Sequence, residues 1–422
     1  MKTYLSAAEK IFLIFSLFVF CLANQAVAKR IIIQPLVSVE DTDAAEGPGG
    51  RLRIAPKISA SSRYDSNFYK TAENERDVFT WLVQPGIEME YYTAKSSITL
   101  GYSLDAYFYQ DADDVSAGEK DADEDDYLGH TFNLNVRTTP VSKLTLELDD
   151  VFYKTREDSK ADRFANDINR DKYYINRLTP GVYYRWNERL GTGVKYRNTI
   201  TEYSRDTTDE DSVEHRGIFD FTYYLSSLSS LTLNYQIWDR NYDVDISDYT
   251  SNQAELVYRR QAKYLGFEAG AGYHHRTFDD DSRDSTDTLH YHLGLSAQMA
   301  KSTGEIVFEE NYNDAVNPDD FYKARRINLH FGHVFGQYLH AGASGFYQMN
   351  EYEDWRQYRG GTEDRSDDLY GLSANIAYKF AQWLAVGLEG GFQERDSNLG
   401  EYDYDNQYIL LRLDSVYDMA RR

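Results

Sequence analysis

Residues 231–237 read Leu231-Thr232-Leu233-Asn234-Tyr235-Gln236-Ile237. Large apolar and polar side chains alternate with a period of two, the period of a β-strand whose two faces meet different surroundings. Ile98, Leu100, Tyr102 and Leu104 alternate in the same way with Thr99, Gly101, Ser103 and Asp105, and Leu144, Leu146 and Leu148 with Thr145, Glu147 and Asp149. Leu384, Val386 and Leu388 repeat it near the C-terminus. The pattern predicts about 18 strands between residues 52 and 417, with 16 as the main alternative. Most exceed ten residues, against about 5–6 in soluble proteins, and a tilted strand crosses a bilayer in about 9–11.

The connections alternate in length. Thr93-Ala94-Lys95, 226–230, Gly336-Gln337-Tyr338 and Ala381-Gln382-Trp383 are short. The stretches 110–126, 154–171, 204–211, 279–287, 353–367 and 396–403 are longer and mostly acidic; 110–126 carries nine acids and one lysine. Short turns on one side and long loops on the other mark an outer-membrane barrel. The predicted fold is therefore all-β: a single transmembrane, antiparallel, up-and-down β-barrel. Sixteen to eighteen strands enclose an aqueous lumen, whereas eight are filled by side chains.

The composition narrows the function classes. The 422 residues hold 45 Lys and Arg against 69 Asp and Glu, a net charge of −24, which argues against nucleic acid as a partner. The 37 tyrosines argue against disorder. Mean hydropathy is −0.64, compatible with a barrel because only alternate strand residues meet lipid. Residues 1–28 read as a signal peptide: Lys2 and Lys10, an apolar stretch from Ile11 to Ala23, then Ala26-Val27-Ala28 before the cut. Its removal takes away Cys21, the one cysteine, so no disulfide is expected. Residues 29–51 read as a periplasmic linker, 52–417 as the barrel and 418–422 as a C-terminal tail. Paired aromatics at strand ends, among them Tyr91-Tyr92, Tyr107-Phe108-Tyr109, Tyr183-Tyr184 and Phe346-Tyr347, read as interfacial girdles. The expected location is the outer membrane, in contact with lipid and lipopolysaccharide.

Two local signatures add a resemblance. The first strand holds Ile54-Ala55-Pro56-Lys57-Ile58 and Tyr64-Asp65-Ser66-Asn67-Phe68-Tyr69; the second holds Val83-Gln84-Pro85-Gly86-Ile87, echoed by Leu178-Thr179-Pro180-Gly181-Val182. With the signal peptide and acidic loops, the chain resembles the outer-membrane β-barrel porins of the second type. That resemblance implies association with exopolysaccharide or capsule production, a polysaccharide passenger and periplasmic export components. The C-terminus departs from many such barrels, ending in Arg421-Arg422 where an aromatic residue is usual. An internal signal is expected to serve the insertion machinery.

If the apolar positions face lipid, the opposite parity lines the lumen. It includes Arg137, Arg177, Arg185, Lys195, Arg197, Arg216, Arg259, Arg276, Arg326, Lys379, Arg395 and Arg412. Asp105, Glu147, Asp149, Asp220, Glu255, Glu268, Glu305, Glu309 and Glu389 share that face. Twelve bases against nine acids would favour an anionic solute or polymer; the plainer reading is that these charges pair across strands. A diffusion porin for small solutes would need a loop folded inward, with 110–126 and 154–171 as candidates. A surface-binding barrel with acidic aromatic loops is the third reading. His290 and His292 share one face, but no Cys or carboxylate stands at a recognisable metal-site spacing, so no metal or cofactor is expected. The run Asp121 to Asp126 lacks the glycine and glutamate of a calcium loop and reads as solvated. No nucleophile motif stands out, so no enzyme activity is expected.

Overall fold

The computed structural model describes residues 50–418 except 116–119, 157–171, 205–210, 244–247, 281–282, 315–320 and 353–363. The signal peptide, almost all of the linker and the last four residues of the tail lie outside the described residues, as does most of the loop 154–171.

Eighteen strands follow one another: β1 Arg51–Asp65, β2 Val78–Tyr92, β3 Ser96–Asp111, β4 Tyr127–Val141, β5 Leu144–Thr155, β6 Tyr173–Arg185, β7 Leu190–Tyr203, β8 Ser212–Ser226, β9 Ser229–Tyr242, β10 Tyr249–Gln261, β11 Leu265–Phe278, β12 Thr286–Gln298, β13 Ser302–Asp314, β14 Phe321–Phe335, β15 Leu339–Tyr352, β16 Ser366–Ala381, β17 Leu384–Ser397 and β18 Tyr404–Val416. Each pairs antiparallel with its sequence neighbours, and β18 pairs with β1 over nine residues from Lys57↔Val416 to Asp65↔Tyr408. The sheet is a closed barrel with no free edge. The count is 18 rather than 16, and the barrel runs from Arg51, one residue into the expected linker, to Val416.

The first strand stops at Asp65, short of the expected residue 69. The Asn67 side chain accepts from the Thr71 amide at 3.1 Å and donates to the Thr71 carbonyl at 2.8 Å, closing a turn. Lys70 and Asn74 then adopt positive φ angles of 50° and 55°, which extended pairing cannot accommodate. The two Pro-Gly signatures sit in mid-strand on β2 and β6, each at a gap in pairing to the next strand, because proline has no N–H to give the ladder.

The alternation decides which face is which. Leu289 is 65% exposed, Ile409 58% and Leu372 54%, with Leu411, Leu233, Leu293 and Phe221 near half. A continuous apolar exterior of this size on a closed barrel is a lipid-facing belt, and the chain is an outer-membrane protein. At the short-turn end the belt finishes in exposed aromatics: Trp186, Phe335, Tyr338, Phe380 and Trp383. The expected girdles are only partly of this kind. Adjacent aromatics point to opposite faces, so Tyr91, Phe108, Tyr184 and Tyr347 face out while Tyr92, Tyr109, Tyr183 and Phe346 face in.

The buried clusters concentrate at the long-loop mouth. The single-turn helix Ala122–Asp125 covers Phe68, Val78, Tyr109 and Tyr127. Leu399 and Tyr402 pack on Tyr322, Ala324 and Tyr352. β13 leaves β12 after Glu310↔Tyr291 but continues pairing with β14 to Asp314↔Phe321. Beyond that point Tyr312 and Phe321 pack on Trp238, Tyr242, Tyr249 and Phe278, inward-facing residues of β9 to β11. Three chain segments therefore lean over the lumen wall at the mouth. The helix Ala122–Asp125, in the expected inward loop, is one of them; the ends of β13 and β14 at Tyr312 and Phe321 are another that sequence patterning missed, because these two look like ordinary strand aromatics.

Ile376 and Asn375 are neighbours on β16 that face lipid and lumen. Ile376→Arg is expected to destabilise the barrel by about 2–4 kcal/mol in reversible unfolding from lipid vesicles. Asn375→Arg, opposite Glu389, is expected to change it by less than about 1 kcal/mol. Equal effects would mean the faces are wrongly assigned.

Candidate functional site

The lumen wall carries more charge than the sequence pattern suggested. Arg53, Lys57, Arg63 and Arg240 also face in, as do Asp65, Glu88, Glu90, Glu214, Asp367 and Asp414. Adding these four bases and six acids shrinks the basic excess from three to one, so the lumen is nearly balanced overall. What matters is how the charges are arranged.

Over most of the wall they pair. Arg53 meets Glu90 at 2.8 Å, Lys195 meets Glu147 at 3.1 Å, Arg137 meets the same Glu147 at 3.5 Å, and Arg412 meets Asp414 at 2.9 Å. Arg259 forks onto Glu268. The two Pro-Gly signatures serve this pairing. Gly86 and Gly181 lie under the aliphatic stems of Lys57 and Lys195, 3.0 Å from where a Cβ would stand. With no side chain there, Lys57 crosses to Glu88 at 2.7 Å and Lys195 to Glu147.

Other candidates are held by neutral groups. Arg185 donates to the carbonyls of Asn187 and Glu188, and Arg395 to that of Tyr402. Arg326 donates to Asn328 and Gln348 beneath the Phe346 ring. The Lys379 side chain makes no ion pair or hydrogen bond with any described residue.

One sector differs. Strand register aligns two rows across β6 to β11. In the first, Arg177 stands opposite Thr199, Thr199 opposite Glu214, Glu214 opposite Arg240 and Arg240 opposite Tyr249. In the second, Arg197 stands opposite Arg216, Arg216 opposite Trp238, Trp238 opposite Ser251 and Ser251 opposite Arg276. With neighbouring strands about 4.8 Å apart, five guanidiniums fall within an arc of about 24 Å. They line a hollow of about 430 Å³ whose acidic lining residues are Glu214 and Glu255.

The five are held differently. Arg216 forks onto Glu214 at 2.9 and 3.0 Å, and its guanidinium lies 4.0 Å above Trp238. Arg276 is 2% exposed, donates to Ser251 at 3.0 Å, and is enclosed by the faces of Tyr249, Tyr312 and Phe321 at 3.8, 4.6 and 5.1 Å. Arg240 donates to Ser212. Arg177 and Arg197 make no ion pair or hydrogen bond with any described residue, and the Arg197 Nε is buried without an acceptor. A guanidinium has five N–H donors and no acceptor, so these two direct donors and charge into the hollow. Arg240 and Trp238 were missed in the sequence because the apolar pattern of β9 lapses after Ile237, where Trp238 faces inward.

No carboxylate stands at a metal-site spacing from His290 and His292 in the sequence, yet one stands beside them in space. Glu255 of β10 reaches both across Gly272 and Gly270 of β11. Linear spacing cannot show a ligand 35 residues away that only sheet register brings near.

At the mouth, two of the five acids in the run 121–126 are used in structure. Asp126 accepts the Tyr109 amide at 2.7 Å, and Asp125 joins Lys120 and Arg156, the latter at 2.7 Å. Burial alone would push the Asp125 carboxyl up, but these two cations outweigh it and hold it below the usual carboxylate range. Asp121, Asp123 and Glu124 remain exposed.

No family model matches this chain, and no curated protein matches it. Solved structures give barrels of similar extent. OccK2 (OpdF) of Pseudomonas aeruginosa, solved with glucuronate, is 12% identical, covering 87% of this chain and 98% of its own, with a TM-score of 0.47. The outer-membrane protein OpdK of the same organism is 10% identical over 86% of this chain and 99% of its own, with a TM-score of 0.44. OccAB4 of Acinetobacter baumannii is 11% identical over 87% and 98%, with a TM-score of 0.45. The strand order and the two faces rest on the pairing described above.

Because the folded Asp125 value is lowered, its stabilisation is present at neutral pH and is lost only as pH falls through that lowered value. Carboxyl NMR is expected to place its midpoint below the reference 3.8. Asp125→Asn is expected to speed amide exchange in 120–126 while leaving the strands protected.

Proposed function

We propose that the barrel is a passive outer-membrane channel whose arginine sector selects small anionic solutes. The observation that carries this is Arg177 and Arg197, two guanidiniums with no partner among the described residues, in a sector whose lining holds five arginines against two carboxylates. A charge on a low-dielectric wall lowers the electrostatic barrier for its counter-ion, while a charge already paired does little. Outside this sector the inward-facing groups counted above are eleven bases against thirteen acids, so the positive field of the wall is concentrated here.

The arginine rows admit a second reading on charge alone. An exported acidic exopolysaccharide would meet the same two unpartnered guanidiniums, Arg177 and Arg197, while the buried rings of Trp238, Tyr249 and Tyr312 hold Arg216 and Arg276 in place. This reading predicts bursts of current block when acidic polysaccharide is added on one side.

Reversal potentials in planar bilayers under a KCl gradient test the proposal. The wild-type barrel is expected to prefer chloride, and Arg177→Gln with Arg197→Gln together to lower the anion-to-cation permeability ratio several-fold at low salt, less at 1 M where screening is strong. A cation-selective wild type, or a double variant of unchanged selectivity, would sink the proposal. Polymer-induced block would move the passenger from small anions to polysaccharide.

A further inference from the structure

Beside the arginine rows, on β10 and β12, the wall carries a cluster of different chemistry. Glu255, His290 and His292 each offer one ligand atom, and the three atoms lie within 4.8 Å of one another. The Glu255 Oε1 lies 2.8 Å from His292 Nδ1 and 3.5 Å from His290 Nε2. We infer that Glu255, His290 and His292 form a binding site for a divalent transition-metal ion on the lumen wall.

Four observations converge on it. The donor set is two imidazoles and one carboxylate, which suits zinc, cobalt, nickel or copper; calcium and magnesium prefer oxygen alone. Bonds of about 2.0–2.1 Å in a tetrahedron separate ligand atoms by roughly 3.3 Å, between the two distances seen. The Glu255 side chain is 9% exposed, and its buried Oε1 accepts no hydrogen bond of good geometry despite the nearby imidazoles. A buried carboxylate oxygen left so is costly, and a cation at the shared vertex would satisfy it. The far side of His292 is held: its Nε2 lies 2.9 Å from Glu268, which Arg259 grips in turn. An Nε2 proton donated to Glu268 leaves Nδ1 as the lone pair for a cation beside Glu255, the arrangement that orients histidine ligands in metal sites.

The backbone makes room for the ion. In register, Gly272 separates Glu255 from His290, and Gly270 separates Val257 from His292. A Cβ on Gly270 would collide with the Glu255 carboxylate and the His292 ring. Strand interiors disfavour glycine, and here two alternate inward positions are both glycine where the three ligands converge. Glu255 and His290 line the arginine hollow, and His292 and Glu268 a second hollow of about 450 Å³. Three protein ligands leave a fourth position towards the lumen, the pattern of an exchangeable rather than a closed structural site.

Calorimetry with zinc chloride at pH 7.5, on the full barrel in detergent, gives the first test. One zinc per barrel is expected. His290→Gln or His292→Gln is expected to abolish binding, and Glu268→Gln to weaken it about 10–100-fold through the lost orientation of His292. His215→Gln on the lipid-facing side should leave it unchanged. Cobalt chloride added to the unmodified barrel needs no variant, and should give a visible d–d band that excess zinc removes. Absence of that band, or zinc binding indifferent to His290 and His292, overturns the inference. Neither readout depends on ion selectivity, so the site and the proposed channel fail separately.

Discussion

A strand in a bilayer has no water to satisfy its backbone, so every N–H and C=O in the hydrocarbon must find a partner in the protein. The rest of this structure depends on that requirement. It forces β18 back onto β1, and closure fixes the register of all eighteen strands together. A slip of one residue at any seam would turn an apolar face to water and a charged face to lipid. The two Pro-Gly signatures show the tolerance of the rule. Each removes ladder bonds at one point, and each is followed by a glycine over which a lysine crosses to a glutamate of its own or a neighbouring strand.

Closure also explains where side-chain packing can occur. Within the membrane the exterior meets lipid and the interior meets water, so neither face needs a close-packed core. The three larger buried clusters gather beyond the membrane, where the strands extend past the lipid and the loops turn inward over Val78, Tyr249 and Tyr322. In the middle of the barrel, ion pairs and hydrogen bonds between neighbouring strands order the side chains instead. The same residues that keep the lumen hydrated thus keep it from collapsing, since a polar wall gains nothing by dehydrating.

Period-two alternation made the fold readable. Strand count, the two faces and the asymmetry of connections follow from which residues alternate. All twelve basic candidates stand on the inward face for the same reason. Partnership was not readable. Nothing in the sequence distinguishes Lys195, held by Glu147, from Arg197 two residues on, which no described residue holds; the difference is whether the opposing strand presents Gly181 and a glutamate beyond it or another arginine. Residues that break the apolar rhythm, such as Trp238 and Arg240, were lost with it. Glu255 and His290 are far apart in sequence and meet because antiparallel hairpins bring them level across Gly272.

The contrast between Arg216 and its neighbours shows why the arginine sector is not simply an ion-pair network. Arg216 and Arg197 stand directly opposite across β7 and β8, an arrangement that repels. It is tolerable because Glu214 neutralises one member and Trp238 offers its face to the same guanidinium. Arg276 is stabilised without a carboxylate at all, by Ser251 and three aromatic faces. Aromatic rings hold a guanidinium in place without cancelling its charge, whereas a carboxylate holds it and cancels it. Rings in place of acids therefore let the wall keep ordered cations whose field still reaches the lumen, and that is the physical condition for selecting an anion.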